Sequence, residues 1–329
     1  MPTPPAQPLS QLLALLAAQL LHLLLALAAA PLLVGLIRLF KSRLQRRAGP
    51  SPIQPYRDLI RLMRKETVSA HDASWIFRAT PHLVFAILVL VAAMVPAFAI
   101  GLPLAGAGDL IAIVALLATA RFLQSLAGLD IGTAFGGIGA SRDALIGSLA
   151  EPAVLMVVFA LALVAGTTAL SGIARFVLAG GVGVEVSLAL ALIAMVIVAI
   201  AENGRIPVDN PATHLELTIV HEAMILEYSG RSLALIEAAQ MLKLLVFVLL
   251  IGGLFAPWGL ADARHGLDLV DVAIGLLALL LRLILAAFAL AVFEISIAKM
   301  RVFRVVEFLG AALILALLAV VFRFVTEVS

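Results

Sequence analysis

The chain has 329 residues, of which 64% are hydrophobic and 13% charged, and its formal net charge is +2. A soluble domain carries roughly 25% charged residues, so this composition, with a mean hydropathy of +1.17, excludes an ordinary soluble enzyme and predicts an all-α polytopic membrane protein forming a single membrane domain over residues 1–329. Cysteine is absent, which excludes disulfides, thiolate zinc sites and cysteine-ligated iron–sulfur clusters on this chain.

Crossing a bilayer takes roughly 20 apolar residues. Eight segments meet that length, at about 9–36, 82–100, 109–129, 152–171, 182–200, 233–254, 269–293 and 308–325. The basic residues follow the first apolar run, opposite to a cleavable signal, so 9–36 reads as a retained span. Its excess length predicts tilt or a bend at Pro31. Lys and Arg crowd residues 38–78 and recur at Arg142, Arg205, Arg231, Lys299, Arg301 and Arg304, against Arg175, Arg264 and Arg323 in the alternate loops. The positive-inside rule places 38–80, 130–151, 202–231 and 294–307 in the cytoplasm and both termini outside. Residues 54–68 predict a short amphipathic helix, with Tyr56, Leu59, Ile60, Leu62 and Met63 alternating with Arg57, Arg61, Arg64 and Lys65. Such a helix lies in the membrane interface or forms a ledge for a soluble partner.

Three cations, Arg121, Lys243 and Arg282, fall inside predicted spans. At that depth a charge must face the bundle interior, water or a counter-charge. Candidate acids are Glu237, Glu185 near the outer end of the fifth span, and Glu151, Glu202 and Glu294 at inner helix ends. Glu237, Gln240 and Lys243 follow one another three residues apart, so neighbours in the series touch along one helix. Two readings stand: static ion pairs that fix helix orientation, or a hydrated proton or cation path. The second is preferred because the acids continue into residues 202–230, which hold Glu202, Asp209, Glu216, Glu222 and Glu227.

Within that loop Pro207 and Pro211 keep the chain extended or turning, and 214–228 predicts a helix. Glu216, Val220, Ala223 and Glu227 then share one face, His214, Thr218 and His221 another, with Glu222 beside the second. The spacing of His214 and His221 matches no usual helical zinc pair, so no metal is expected. His22 is the one histidine well inside a span, too few for haem held between two helices. The Gly136–Gly137–Ile138–Gly139 run lacks the strand-before, helix-after context of a dinucleotide fingerprint and reads as a tight cytoplasmic turn. Nothing in the sequence points to a self-contained catalytic centre or to a nucleic-acid partner.

Three segments carry a family resemblance: GPSPIQPYRDLIRLMRKE (49–66), ARFLQSLAGLDIGTAFGGIGASRDALIGSLAEP (120–152) and AENGRIPVDNPATHLELTIVHEAMILEYSG (201–230). They resemble the eight-span component of respiratory complex I that borders its quinone cavity, the NADH dehydrogenase subunit 1 family, over nearly the whole chain. Ala201, Glu202, Arg205, Pro207, Asp209, Pro211, Glu216, Leu217, Glu227, Tyr228 and Ser229 match the complex I form of the third segment. Ala212 and His214 stand where that form has acids, and the stretch from Glu216 to Glu227 is longer here. In these departures the chain is similar to the membrane subunit of group 4 nickel–iron hydrogenases, such as formate hydrogenlyase and hydrogenase-4 complexes.

The resemblance implies a membrane subunit of an energy-converting hydrogenase in the inner (cytoplasmic) membrane of a bacterial or archaeal cell. It would anchor the peripheral redox arm and couple electron transfer to proton or cation movement. The implied partners are the hydrogenase large and small subunits, iron–sulfur proteins and antiporter-like membrane subunits, which would hold the nickel–iron centre and the iron–sulfur clusters; no cofactor is expected on this chain. The resemblance places Glu151, Glu202, Asp209, Glu216 and Glu227 on the ion path, to which the charges in the spans and the acidic loop add Glu222, Glu237, Lys243, Arg282 and Glu185. For docking it implies Arg142 and Arg205, to which the basic first loop adds Arg57, Arg61 and Arg64 and the acidic loop His214 and His221. The sixth-span acid is displaced relative to complex I, Glu237 lying about one turn from the matching position at Gln240. A quinone-site subunit of a complex I-like oxidoreductase, which would bind quinone, and a structural anchor without ion coupling are the alternatives. A free-standing transporter fits least, because the strongest motifs lie in loops and no paired broken helices mark a midplane site.

Overall fold

The structure is a computed structural model that describes residues 9–69, 73–180, 185–205, 220–263, 268–297 and 302–328. Helices dominate it. Helix α1 (Leu9–Leu44) runs unbroken past Pro31, and α2 (Gln54–Met63) follows as a short helix begun by Pro55. Ser74 caps α3 (Trp75–Met94) by accepting from the Ile76 amide, Asp109 caps α4 (Leu110–Asp130) through Ile111, and Thr133 caps α5 (Ala134–Ala165) through Gly136. Each cap satisfies an amide that the first helical turn leaves without a partner. Gly166, in the left-handed conformation at φ +66°, stops α5, and α6 (Leu170–Leu178) is separate from it. Then come α7 (Val186–Glu202), α8 (His221–Ile225), α9 (Gly230–Phe255), α10 (Leu269–Ser296) and α11 (Val302–Val328).

Seven of the described helices are long and apolar enough to cross a membrane; α7 is apolar but shorter, at 17 residues. Helix α9 is the most buried of the seven and packs on α1, α3, α2 and α7, while α11 lies against α5 and α7. At one end of the bundle, strands β1 (Ala99–Ile100) and β2 (Ala261–Asp262) pair in parallel. Arg175 of α6 grips Asp262 there through two nitrogens, at 3.0 and 3.4 Å. The ends of α4 and α5 meet at the same level, where Leu110 donates to the Thr168 carbonyl and Leu170 to that of Gly108. Gln19 and His22 of α1 occupy the last carbonyls of α3, bonding Ala93 at 3.1 Å and Ala92 at 3.0 Å. That use of His22 is structural. At this end polar contacts satisfy the chain's own backbone and Arg175 pairs with Asp262; the charged cluster around Glu202 lies at the opposite end.

Four expectations need correction. Residues 130–151, expected as a loop, are mostly helix, since α5 begins at Ala134 and passes through Pro152. The Gly136–Gly139 run lies in its first turns and is no tight turn: a side chain at Gly136 would collide with the Gly128 carbonyl oxygen, so the glycine serves close helix approach. The expected helix at 214–228 is confined, among the described residues, to His221–Ile225, because the Tyr228 amide closes a turn on the Ile225 carbonyl; Glu227 therefore lies beyond it. The expected helix at 54–68 ends at Met63, its last carbonyls taken by the Arg64 and Lys65 amides in turn geometry.

Candidate functional site

Helix α7 ends on a carboxylate. The C-terminal turn of a helix carries a partial negative charge, so Glu202, 6% exposed, needs cations close by. Lys243 of α9 supplies one, its Nζ donating to Glu202 Oε2 at 2.8 Å and to the Glu202 carbonyl at 2.9 Å. Arg121 of α4 supplies the other, its guanidinium hydrogen-bonded to Glu202 Oε1. The Arg121 Nη2 atom also lies 3.5 Å from Glu151 of α5, whose side chain is 42% exposed. Four helices thus contribute one charge each to a line, Lys243–Glu202–Arg121–Glu151, that passes from the bundle interior to a half-exposed acid.

The local sequence explains how such a line fits. A side chain at Gly147 would drive its Cβ into Arg121 Nη1, so glycine there leaves room for the guanidinium. Past Glu202, Asn203 Nδ2 donates to the Ala199 carbonyl at 2.7 Å. Gly204, at φ +58°, lets Arg205 turn back so that its amide reaches Ile200. Glycine takes this conformation without the steric cost other residues meet.

A polar cavity of about 310 Å³ opens against this line, lined among others by Asp143, Glu202, Arg205, His221, Glu222 and Lys243. Asp143 is 1% exposed; it accepts from Ser125 at 2.8 Å, and its Oδ1 lies 3.5 Å from His221 Nδ1. Helix α8 can bring His221 this close because Gly139 offers no side chain to the Val220 carbonyl, which a Cβ would meet at 2.9 Å. On the cavity's flank Glu294 binds Arg205 at 3.2 Å and Lys41 at 2.8 Å.

The structure therefore brings together Glu151, Glu202, Lys243, Glu222, Arg205 and His221. It sets others apart. Arg282 points to the opposite end, donating to the Ala256 and Trp258 carbonyls past the end of α9, and Glu185 faces Arg323 at 4.0 Å, at the other end of α7 from Glu202. Glu237 does not line the cavity itself; its charged neighbours are Asp58, Arg38 and Arg61, of which Arg38 does. Glu227 is exposed; Arg57, Arg61 and Arg64 are exposed on or beside α2, Arg61 3.2 Å from Asp58, and Arg142 is half-buried on α5. Asp209, His214 and Glu216 lie outside the described residues. Asp143, Ser125 and Gln124 escaped the sequence reading. The signal for Asp143 was its four-residue spacing to Gly147 and on to Glu151, legible once 130–151 is taken as helix.

Next to the site, Tyr228, Ser229 and Gly230 act on the backbone. Tyr228 stacks on Phe77 with ring centroids 3.9 Å apart and donates its hydroxyl to the Phe77 carbonyl at 2.9 Å. Burial, helped by the negative charge of Asp130, pushes its phenol above the usual range, so it remains a donor. Ser229 Oγ bonds both the amide and the carbonyl of Val68, each at 2.8 Å. Gly230, at φ +52°, admits the Glu66 carbonyl into the space where a Cβ would stand. This motif stitches the first loop to the start of α9.

The fold has a solved counterpart: the structure of an archaeal membrane-bound sulfane sulfur reductase complex contains a chain that superposes with a TM-score of 0.76 at 20% identity, over 94% of this chain and 99% of that one. In sequence, formate hydrogenlyase subunit 4 of Escherichia coli K12 is 35% identical over 272 residues, 83% of this chain and 87% of the relative. Hydrogenase-4 component C of the same organism is 36% identical over 260 residues, 79% and 81%. NADH-quinone oxidoreductase subunit 8 of Rhodothermus marinus is 28% identical over 238 residues, 69% and 68%. The pattern of the NADH dehydrogenase family matches residues 16–325. The chain belongs to that family, and within it is more similar to these two hydrogenase subunits than to the quinone oxidoreductase subunit.

Proposed function

We propose that this chain is the membrane subunit of an energy-converting hydrogenase complex, coupling redox chemistry on a peripheral arm to movement of a proton or another cation. The observation that carries the reading is the Lys243–Glu202–Arg121–Glu151 line beneath a polar cavity. Arg121 touches two acids at once. Adding or removing a positive charge at the cavity changes how strongly Glu202 holds Arg121, and hence how closely Arg121 engages Glu151. A buried acid between two cations responds strongly to such a change because the low-dielectric interior screens little. The similarity to formate hydrogenlyase subunit 4 and hydrogenase-4 component C supports a hydrogenase as the redox partner.

In this reading α7 completes a set of eight spans, with both termini outside and the cavity facing the cytoplasm. Helix α2 lies in the interface, its exposed Arg57, Arg61 and Arg64 available to soluble subunits. The hydrogenase large and small subunits and iron–sulfur proteins dock over the cavity and carry the nickel–iron centre and clusters; antiporter-like subunits adjoin in the membrane. Asp209, His214, Glu216 and Glu227 belong to the loop that meets the arm.

The purified complex in liposomes tests this. Glu151→Gln is expected to abolish ion movement driven by hydrogenase turnover while activity with an artificial electron carrier is retained. Ion movement per turnover equal to wild type in both Glu151→Gln and Glu202→Gln would overturn the coupling role.

A further inference from the structure

Helices α7, α9 and α10 do not close on one another over residues 196–200, 244–251 and 286–293. They leave a cavity of about 370 Å³ whose lining, which includes Val196, Ile200, Leu244, Phe247, Ala289 and Phe293, presents almost no polar atoms. Along α9 it runs from Leu244 to Ile251, about 10 Å at 1.5 Å per residue. An apolar slot of this length and lining suits a hydrocarbon chain.

The head of the cavity is charged. Ile200 and Phe293 sit at its rim; the Arg205 amide bonds the Ile200 carbonyl, and Glu294 follows Phe293. Directly above the rim two cations, Arg205 and Lys41, share the single carboxylate of Glu294, at 3.2 and 2.8 Å. Among the described residues these two cations share that one acid, and the Lys41 side chain is 41% exposed. An apolar slot beneath two cations that share one acid among the described residues, at the level where helices leave the membrane, matches one class of molecule. We propose that this groove binds an anionic phospholipid, its phosphate against Lys41 and Arg205 and an acyl chain between α7, α9 and α10. Occupancy would fill the space beside Leu244 and Ile200, neighbours of Lys243 and Glu202.

Native mass spectrometry of the complex, exchanged into nanodiscs of equal phosphatidylglycerol and phosphatidylcholine, tests the proposal. One phosphatidylglycerol is expected to stay with the protein after mild delipidation. Its preference over phosphatidylcholine should be about fivefold, the ratio that about 1 kcal/mol per cation gives. Lys41→Gln should bring that preference to about one. Ala289→Phe, which fills the slot, should remove the retained lipid of either kind, while Leu281→Phe, exposed on α10 away from the groove, should not. Equal retention of both lipids by the wild type, retention unaffected by Lys41→Gln and Ala289→Phe, or retention of a neutral quinone in place of lipid would each overturn the proposal. Lys41→Gln alters an exposed side chain, so it remains informative if Ala289→Phe fails to assemble.

Discussion

At the scale of single residues, Glu202 is the group on which the others depend. Removing one partner of a buried pair costs roughly 3–5 kcal/mol, because the remaining charge is stranded. Glu202→Gln strands two, Lys243 and Arg121, so it is expected to lower thermal stability of the purified complex as well as stop ion movement. Glu151 is different. Its side chain is half exposed and its contact with Arg121 longer, so Glu151→Gln should change stability by less than about 1 kcal/mol; a melting curve superimposed on wild type, with coupling lost, separates the two roles. Gly147 gives a sharper contrast. Gly147→Ala puts a methyl group into Arg121 and is expected to weaken both stability and coupling. Gly137→Ala, on the same helix with nothing within 4 Å of the added carbon, should be neutral or stabilise by about 0.5–1 kcal/mol.

Much of this site was legible residue by residue. Glu202, Lys243 and Arg121 stood out because charge is costly beside hydrocarbon. Arg282 and Glu185 stood out for the same reason, yet both reach toward the opposite end. Counting along a span fixes depth, and says nothing of the direction a long side chain takes to find a partner. Asp143 stayed hidden because its segment read as a loop, where an acid is unremarkable.

At the scale of elements, glycine-rich stretches misled most. Glycine lowers helix propensity, so the Gly136–Gly139 run reads as a tight turn. In the folded chain the cost is offset by packing, since Gly136 and Gly139 let backbone approach where a side chain would collide. Helix α8 was overextended for the reverse reason: no breaker marks its end, and the turn closed by the Tyr228 amide is accompanied by a stack on Phe77 that sequence spacing does not reveal. That turn supplies a prediction. Gly230→Ala forces a Cβ against the Glu66 carbonyl at an unfavourable φ and should release the 64–69 segment, seen as faster proteolysis there. Tyr228→Phe removes one hydrogen bond while keeping the stack, and should cost only about 1 kcal/mol with little added cleavage.

At the scale of the whole molecule, polar side chains at the two ends do different work. Around Asp262, Arg175, Asp109 and Gln19 they satisfy backbone and each other. Around Glu202 they surround a cavity. With the orientation proposed above, the closed end faces outward. The native absence of cysteine makes this directly measurable. In intact cells, Trp258→Cys, at a residue 68% exposed, should react with a membrane-impermeant maleimide; Arg64→Cys should react only after the membrane is opened. The reverse pattern would invert the topology.

Helix α5 spans 32 residues, about 48 Å, against a hydrocarbon core of about 30 Å. The stretch before Pro152 carries the seat of α8 at Gly139 and the partner of His221 at Asp143, and the helix packs along α11. Proline removes one rung of a helix's bonding ladder and concentrates bending where it sits, and Pro152 directly follows Glu151. A lever clamped in the bilayer and pushed at its free tip flexes at its weakest joint. Here that joint adjoins the acid facing Arg121, so under the proposed function a push on the stretch before Pro152 would tilt Glu151 with no separate transmission part.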